Sequence, residues 1–335
     1  MTTAGDPVEP LIIARQSVEP GTRKELELRP ARLPSGGWMA IPVVAIHGAA
    51  SGPTMWLSAA VHGDEVCGVE IIRQVLNRLR PLKVAGTLLA VPVVNIPGFA
   101  SGNRYLPDRR DLNRSFPGSA RGSLASRFAH SLMTEIVSRC DLGIDLHTGS
   151  DHRSNLPQIR ADLDDAKTRD LVRAFAPPVA LHAGARDGSL RQAAASQGTT
   201  TLLYEAGEAW RFSQSAIDDG VAGVVRVMHH AGMMRSVPDD LMPAHSTLYL
   251  HRSNWSRSPM SGLARIKVEL GDVVVRRQRI AIVADAVGST ERAVRASTPG
   301  VVIGRTELPV VHRGDALVHI APLGSGAGST IESLQ

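Results

Sequence analysis

A histidine and a glutamate three residues apart, His62 and Glu65, stand between an apolar run ending at Val61 and a helical period beginning near Val66. Two such side chains can grip one ion together, and Gly63 between them leaves the backbone free to bend. The chain holds 12 histidines. About one His-x-x-Glu pair is expected by chance at that content, so a surface loop is the competing reading. A second element weighs against it. Asp145-Leu146-His147 closes another apolar run and leads into Thr148-Gly149-Ser150. Strand alternation puts Asp145 and His147 on one face, where the carboxylate can fix the tautomer of the imidazole; the alternative is a satisfied core histidine. Two His and one Glu with an open fourth position form the donor set of catalytic zinc, as in carboxypeptidase A, and predict one zinc per subunit. Zinc in such a site activates a water and polarises a carbonyl.

Two further segments are too polar for a core. Asn95-Ile96-Pro97-Gly98 is followed by the stretch from Arg104 to Gly118, which crowds Arg and Asn between Pro and Gly without an apolar period. Read blandly it is a solvated loop. Beside a metal it is suited to grip an anion, Arg through its two-pronged fork and Asn through its amide. Tyr204-Glu205-Ala206-Gly207-Glu208 ends another apolar run, and either glutamate there could serve as general base and acid or lie in an exposed turn.

These residues need elements to hold them. Trp56 to Val61, Thr87 to Asn95, Leu142 to His147 and Thr200 to Glu205 read as strands. Val69, Ile72, Leu76 and Leu79 fall on one helical face with Ile71 and Val75 adjoining it, and Leu124, Phe128, Leu132 and Ile136 repeat that spacing. Alternating strands and helices imply an α/β domain with its sheet covered on both faces, and ligands in such sheets gather at the carboxyl ends of strands. The composition shifts near residue 235. Beyond it come short strands punctuated by glycine, Gly262 to Val268, Val273 to Val283, Val301 to Ile303 and Leu317 to Ile320, with two Gly-Asp turns. These predict a small all-β module with internal pseudo-repetition. The expected division is a catalytic domain over 1–238 that includes a β segment in 1–50, a β-barrel over 239–323, and a disordered tail over 324–335.

Whole-chain properties narrow the function. At 335 residues, with 43% hydrophobic and 21% charged residues, the chain is long enough for two cores and reads as globular. It has no apolar run of eighteen residues and no secretory pattern at its start, so a cytoplasmic protein without a membrane span is expected. The two cysteines, Cys67 and Cys140, are too few for a disulfide framework and read as buried small hydrophobes. A net charge of +5 would suit nucleic acid, but the arginines are dispersed and aromatics make up only 4%. No stacking surface is available, and no nucleic-acid partner is expected.

The ordered set HGDE, NIPG, DLNRSFPG, DLHTG and YEAGE, spanning roughly residues 40 to 230, resembles the succinylglutamate desuccinylase and aspartoacylase family, relatives of the zinc carboxypeptidases. The resemblance implies a zinc-carboxypeptidase-like three-layer α/β/α domain with a mixed sheet. It also implies that His62, Glu65 and His147 are zinc ligands, that Arg104 polarises the scissile carbonyl, that Asn113 and Arg114 hold the substrate carboxylate, and that Glu205 is the catalytic glutamate. Arg104 lies farther from Asp111 than its counterpart does in aspartoacylase, which leaves Arg109 and Arg110 as alternatives. The Tyr-Glu-Ala-Gly-Glu form and the β module are similar to the branch containing N-acetyl-diaminobutyrate deacetylase. The module itself resembles a lipoyl or biotinyl barrel, but its only lysine, Lys267, falls within a strand, so no prosthetic group is expected. The activity implied is hydrolysis of the amide bond of a small-molecule N-acyl amino acid by metal-activated water with a glutamate base, in a chain that could form a homo-oligomer. A metallocarboxypeptidase acting on a small peptide would use the same atoms. A metal-dependent binding protein without catalysis is the rival of a different class, and Glu205 argues against it.

Overall fold

The apolar runs become the middle of one mixed sheet because of their period. In the strand Leu142–Gly149, Leu142, Ile144 and Leu146 enter one hydrophobic core, which leaves Asp145 and His147 on the opposite face. The strand Ala50–Ala59 sends Met55, Leu57 and Ala59 into that core and Trp56 into a second core on the other side. Neighbours in the sheet run Thr22–Arg32, Trp38–His47, Ala85–Val91, Ala50–Ala59, Leu142–Gly149, Thr200–Glu208, Arg153–Ala161. The three central pairings are parallel and the flanking ones antiparallel. In this computed structural model, which describes residues 8–243 and 245–323, helices cover both faces. Cys67–Arg78, Ala166–Phe175 and Gln214–His230 pack on one side through Ile71, Phe175 and Val224; Leu124–Glu135 and Leu190–Ala195 pack on the other through Phe128 and Ala193. The tail expected to be disordered, from Gly324 onward, lies outside the described residues.

The first helix and its C-cap bury Ile72, Leu76 and Leu79 of the predicted face with the adjoining Ile71 and Val75, and Val69 is half-buried against the same core. Two other elements differ from expectation, each for a local reason. The strand predicted over Thr87 to Asn95 ends at Val91, because Pro92 has no N–H for the ladder. The run Val273 to Val283 splits into Val273–Val274 and Arg279–Ala284 around Arg277, whose φ is 69°. The two pieces join different sheets.

The C-terminal strands form an all-β region. One four-stranded antiparallel sheet runs Glu291–Arg295, Arg279–Ala284, Gly262–Ile266, Val310–Val311, and Lys267 follows the third of these strands rather than lying inside it. Gly300–Thr306, Ala316–Ala321 and Asn254–Arg257 instead extend the main sheet beyond Arg153–Ala161. A core that includes Val274, Ile280, Val283, Val302 and Leu317 fills the space between. The sheet thus runs without a break from the site into this region. Both cysteines are free and buried, and among the described residues no helix is long and apolar enough to cross a membrane.

Candidate active site and metal centre

The loop between Ala59 and Cys67 carries His62 and Glu65 to the carboxyl end of the central strand, beside His147 on the next strand. Gly63 is required there: a Cβ would stand 2.0 Å from the backbone carbon of Gly98 and 2.2 Å from the amide of Phe99. The loop can press this closely only without a side chain. Asn95 organises the facing segment. Its side chain accepts a hydrogen bond from Gly98 N at 2.9 Å, capping the helix Ile96–Ser101, and donates to the carbonyl of Arg104 at 3.2 Å. The NIPG motif is therefore a brace for Arg104.

His62, Glu65 and His147 are all buried, with ligating atoms within 4.8 Å of one another. His62 Nδ1 lies 2.7 Å from Glu65 Oε1, and His147 Nδ1 lies 2.7 Å from Glu65 Oε2. Each ring also meets a carboxylate on its far side: His62 Nε2 is 3.1 Å from Asp111 Oδ1, and His147 Nε2 is 2.8 Å from Asp145 Oδ2. Asp145 in turn accepts from Ser58 Oγ at 2.5 Å. A neutral imidazole has one N–H, so it cannot donate to carboxylates on both sides. Burial lowers the affinity of both rings for a second proton. Around His62, Glu65 and Asp111 outweigh that effect, and around His147, Asp145 and Glu65 do, so both rings stand above the ordinary imidazole range. Burial likewise raises the Glu65 carboxyl, but the two histidines outweigh it and hold it well below the carboxylate range. Two charged rings with centroids 5.0 Å apart repel. A cation shared by the two Nδ1 lone pairs and Glu65 removes that conflict, with Nε2–H donated outward to Asp111 and Asp145, so the donor set fits a divalent metal such as zinc.

The remaining predicted residues gather around this centre in a cavity of about 280 Å³. Arg104 reaches it, donating to Asp111 at 2.9 Å and Glu65 at 3.4 Å, whereas Arg109 and Arg110 are absent from its wall. Asn113 and Arg114 line it too; the Asn113 side-chain oxygen accepts from Leu190 N at 2.8 Å, which leaves its amide nitrogen for a ligand. Glu205 pairs in register with His147 on the adjacent parallel strand and so faces the same side of the sheet. Its Oε2 accepts from Asn155 Nδ2 at 2.9 Å. Glu208 belongs to the same strand rather than to a turn, but an irregularity after Glu205, with Gly207 at φ 73°, redirects it toward Arg211, 3.8 Å away and outside the cavity.

Sequence reasoning missed several contributors. Asp111 was visible as part of the polar loop, yet only the fold shows it supporting His62, Arg104 and the Asn113 amide together. The demand that each metal-binding His have an outer partner, met by Asp145 for His147, could have prompted the search for it. Arg153, Arg160, Arg186, Arg191 and Trp255 also line the cavity, and no local pattern marks them.

Comparisons with known proteins agree with this geometry. Residues 51–231 match the family model for the succinylglutamate desuccinylase/aspartoacylase catalytic domain. The chain is 30% identical over 308 residues to N-alpha-acetyl-L-2,4-diaminobutyric acid deacetylase of Halomonas elongata, covering 87% of this chain and 88% of that one. It resembles the product-bound ectoine utilization protein EutE (DoeB) from Ruegeria pomeroyi with TM-score 0.82 and 25% identity, over 95% of this chain and 99% of that one. A succinylglutamate desuccinylase/aspartoacylase structure from Rhodobacter sphaeroides gives TM-score 0.82 and 26% identity, over 90% and 96%. Motif order, site geometry and these likenesses converge, and the chain belongs to the succinylglutamate desuccinylase/aspartoacylase family of deacylases.

Proposed function

We propose that the chain is a zinc-dependent amidohydrolase that cleaves the amide bond of an N-acyl amino acid. The observation that carries the reading is the pairing of a buried His-Glu-His donor set with a carboxylate, Glu205, held in register beside one of its histidines. His62, Glu65 and His147 would hold the zinc, with Asp145 and Asp111 orienting the imidazoles. Zinc, when bound, supplies water activation and carbonyl polarisation. The chain's own residues do the rest. Glu205, fixed through one oxygen by Asn155, has its other oxygen available to take a proton from the attacking water and return it to the departing amine. Arg104, in the cavity wall beside Glu65, would share the negative charge that develops on the carbonyl oxygen. Asn113 and Arg114 hold the substrate carboxylate, Arg by a charge-assisted pair. We assign 1–238 to the catalytic region and 239–323 to a lipoyl/biotinyl-like barrel that walls the pocket and carries no prosthetic group.

A hydrolysis screen of N-acetyl, N-succinyl and N-formyl amino acids, with and without a chelator, tests the proposal. Turnover that is lost on chelation and restored by zinc is expected. Cleavage of dipeptides in preference to acyl amino acids would make the chain a carboxypeptidase, and binding without turnover of either would make it a binding protein. Elemental analysis of His62→Ala and His147→Ala should show zinc lost from both.

A further inference from the structure

Among the described residues a second group, besides His62, Glu65 and His147, brings three ligating atoms within 4.8 Å of one another: Asp164, His182 and His251. None of the three lines the substrate cavity. The strands Arg153–Ala161, Val179–His182 and Leu248–Leu250 run parallel side by side here, with Ala161 opposite His182 and Leu181 opposite Leu250. They end at one carboxyl edge, where the first chain segment supplies Asp162 and Asp164, the second His182 and the third His251. Ligands gather at such edges. His251 is the residue after Leu250 and so comes level with His182 on the same face of the sheet. The two rings stack with centroids 5.8 Å apart and planes 27° apart, an attitude in which each can turn one nitrogen toward a shared ion.

The carboxylates complete the set. They flank the His182 ring, Asp164 Oδ2 lying 3.9 Å from Nε2 and Asp162 Oδ1 3.9 Å from Nδ1. Asp162 Oδ1 also accepts from Asp164 N at 3.0 Å, which holds the two side chains as a pair. Among the described residues neither has a lysine or arginine within ion-pair distance. His182 Nδ1 accepts from Leu163 N at 3.2 Å, so a neutral ring carries its proton on Nε2. An ion on Nε2 shifts that proton to Nδ1, where Asp162 is the acceptor; a metal-bound imidazole regularly donates its second N–H to a carboxylate. The exchange gives up the Leu163 hydrogen bond, so an ion binds here more weakly than at the buried centre. Two imidazoles and one carboxylate suit zinc.

We propose that His182, His251 and Asp164 form a second divalent-metal site, filled by zinc after the buried centre, with Asp162 as the outer partner of His182. The site has a place in the architecture. Ala183 and Gly184, which follow His182, belong to the cavity wall, and so does Trp255, a few residues beyond His251. An ion held by both histidines fastens the strand Leu248–Leu250, and with it the segment that carries Trp255, to the strand Val179–His182. The inference stands independently of the hydrolase reading.

The test titrates the full chain, zinc-loaded and then dialysed, with zinc chloride in a calorimeter. Dialysis strips the weaker, exposed site, so the wild type should take up one further equivalent and His251→Ala none. Unchanged circular dichroism verifies that the variant is folded, and His182→Gln, a polar replacement of similar reach, should show the same loss. The added zinc should raise the Tm of the wild type and leave that of His251→Ala where it was, because an ion that binds only the folded chain stabilises it. His147→Ala should lose the buried ion and keep the exposed one. No further uptake by the wild type, or uptake that survives in both His251→Ala and His182→Gln, overturns the site. Uptake abolished by His251→Ala in a chain that never held a buried ion keeps this site and sinks the metal centre of the hydrolase reading.

Discussion

Asp111 sits between the proposed metal centre and Arg104, proposed to polarise the carbonyl, and Asp111→Asn separates those two duties. One carboxylate oxygen meets His62 Nε2 at 3.1 Å and the Asn113 amide at 2.8 Å; the other meets Arg104 at 2.9 Å. Burial raises the carboxyl pKa, but His62 and Arg104 outweigh it and keep the group ionised through the working range of pH. A carboxamide has only one acceptor oxygen, so it must turn its NH2 toward either His62 or Arg104, both of which donate. Either choice breaks one contact and removes the charge that makes His62 a stronger metal ligand. Loss of such an outer partner weakens metal binding by about 10- to 100-fold, or about 1.4 to 2.8 kcal/mol. Competition with a chromophoric chelator measures this directly. Arg104→Met is the control with opposite sign: it removes a cation 3.4 Å from Glu65 and leaves His62 untouched, so zinc should bind no more weakly. If zinc affinity is unchanged in Asp111→Asn, or falls equally in Arg104→Met, the support assigned to Asp111 is wrong and only the order of the loop was disturbed.

Other outcomes follow from the same geometry. Glu205→Gln should lower turnover by roughly 10²–10⁴-fold with zinc retained, and Glu208→Gln, directed away from the cavity, should do much less; the reverse ranking in a steady-state assay would move the base to Glu208. Arg114→Ala should weaken binding of carboxylate-bearing substrates and barely affect amide-capped ones, and equal losses would make Arg114 structural. His319 is 5% exposed, and burial, then Arg160, lower its pKa to about 3. Its folded pKa lies below the unfolded value near 6.5, so the unfolded chain takes up the proton first and stability is lost as pH falls through that window. Between pH 7 and pH 5 this amounts to about 2 kcal/mol, to be read from urea unfolding and absent in His319→Phe.

How far the sequence reached depends on how local each signal was. His62 with Glu65, and Asp145 with His147, are pairs within a few residues of one another, so strand and turn geometry alone placed each pair together. The glutamate choice shows the boundary. Alternation along a strand separates Glu205 from Glu208, but only the register with Leu142–Gly149 shows that Glu205 stands beside His147, because strand pairing depends on residues about 58 positions away. Likewise the helix period and its apolar face were legible, whereas the burial of Gly68 was not, since it follows from packing against Leu146 and Ala59 of other strands. These parts of the cavity wall were hidden altogether: Arg160, Arg186, Arg191 and Trp255 come from four separate segments with no shared motif. The sequence by itself brought His62 to Glu65 and Asp145 to His147, and supplied the alternation that faces Asp145 and His147 to one side. The tertiary structure decided which distant charges share the cavity, because Arg104, Arg114, Arg160 and Arg191 stand on separate segments that meet only where strands and loops far apart in the chain converge, while the strand Asn254–Arg257 at the sheet's end adds Trp255 to the wall.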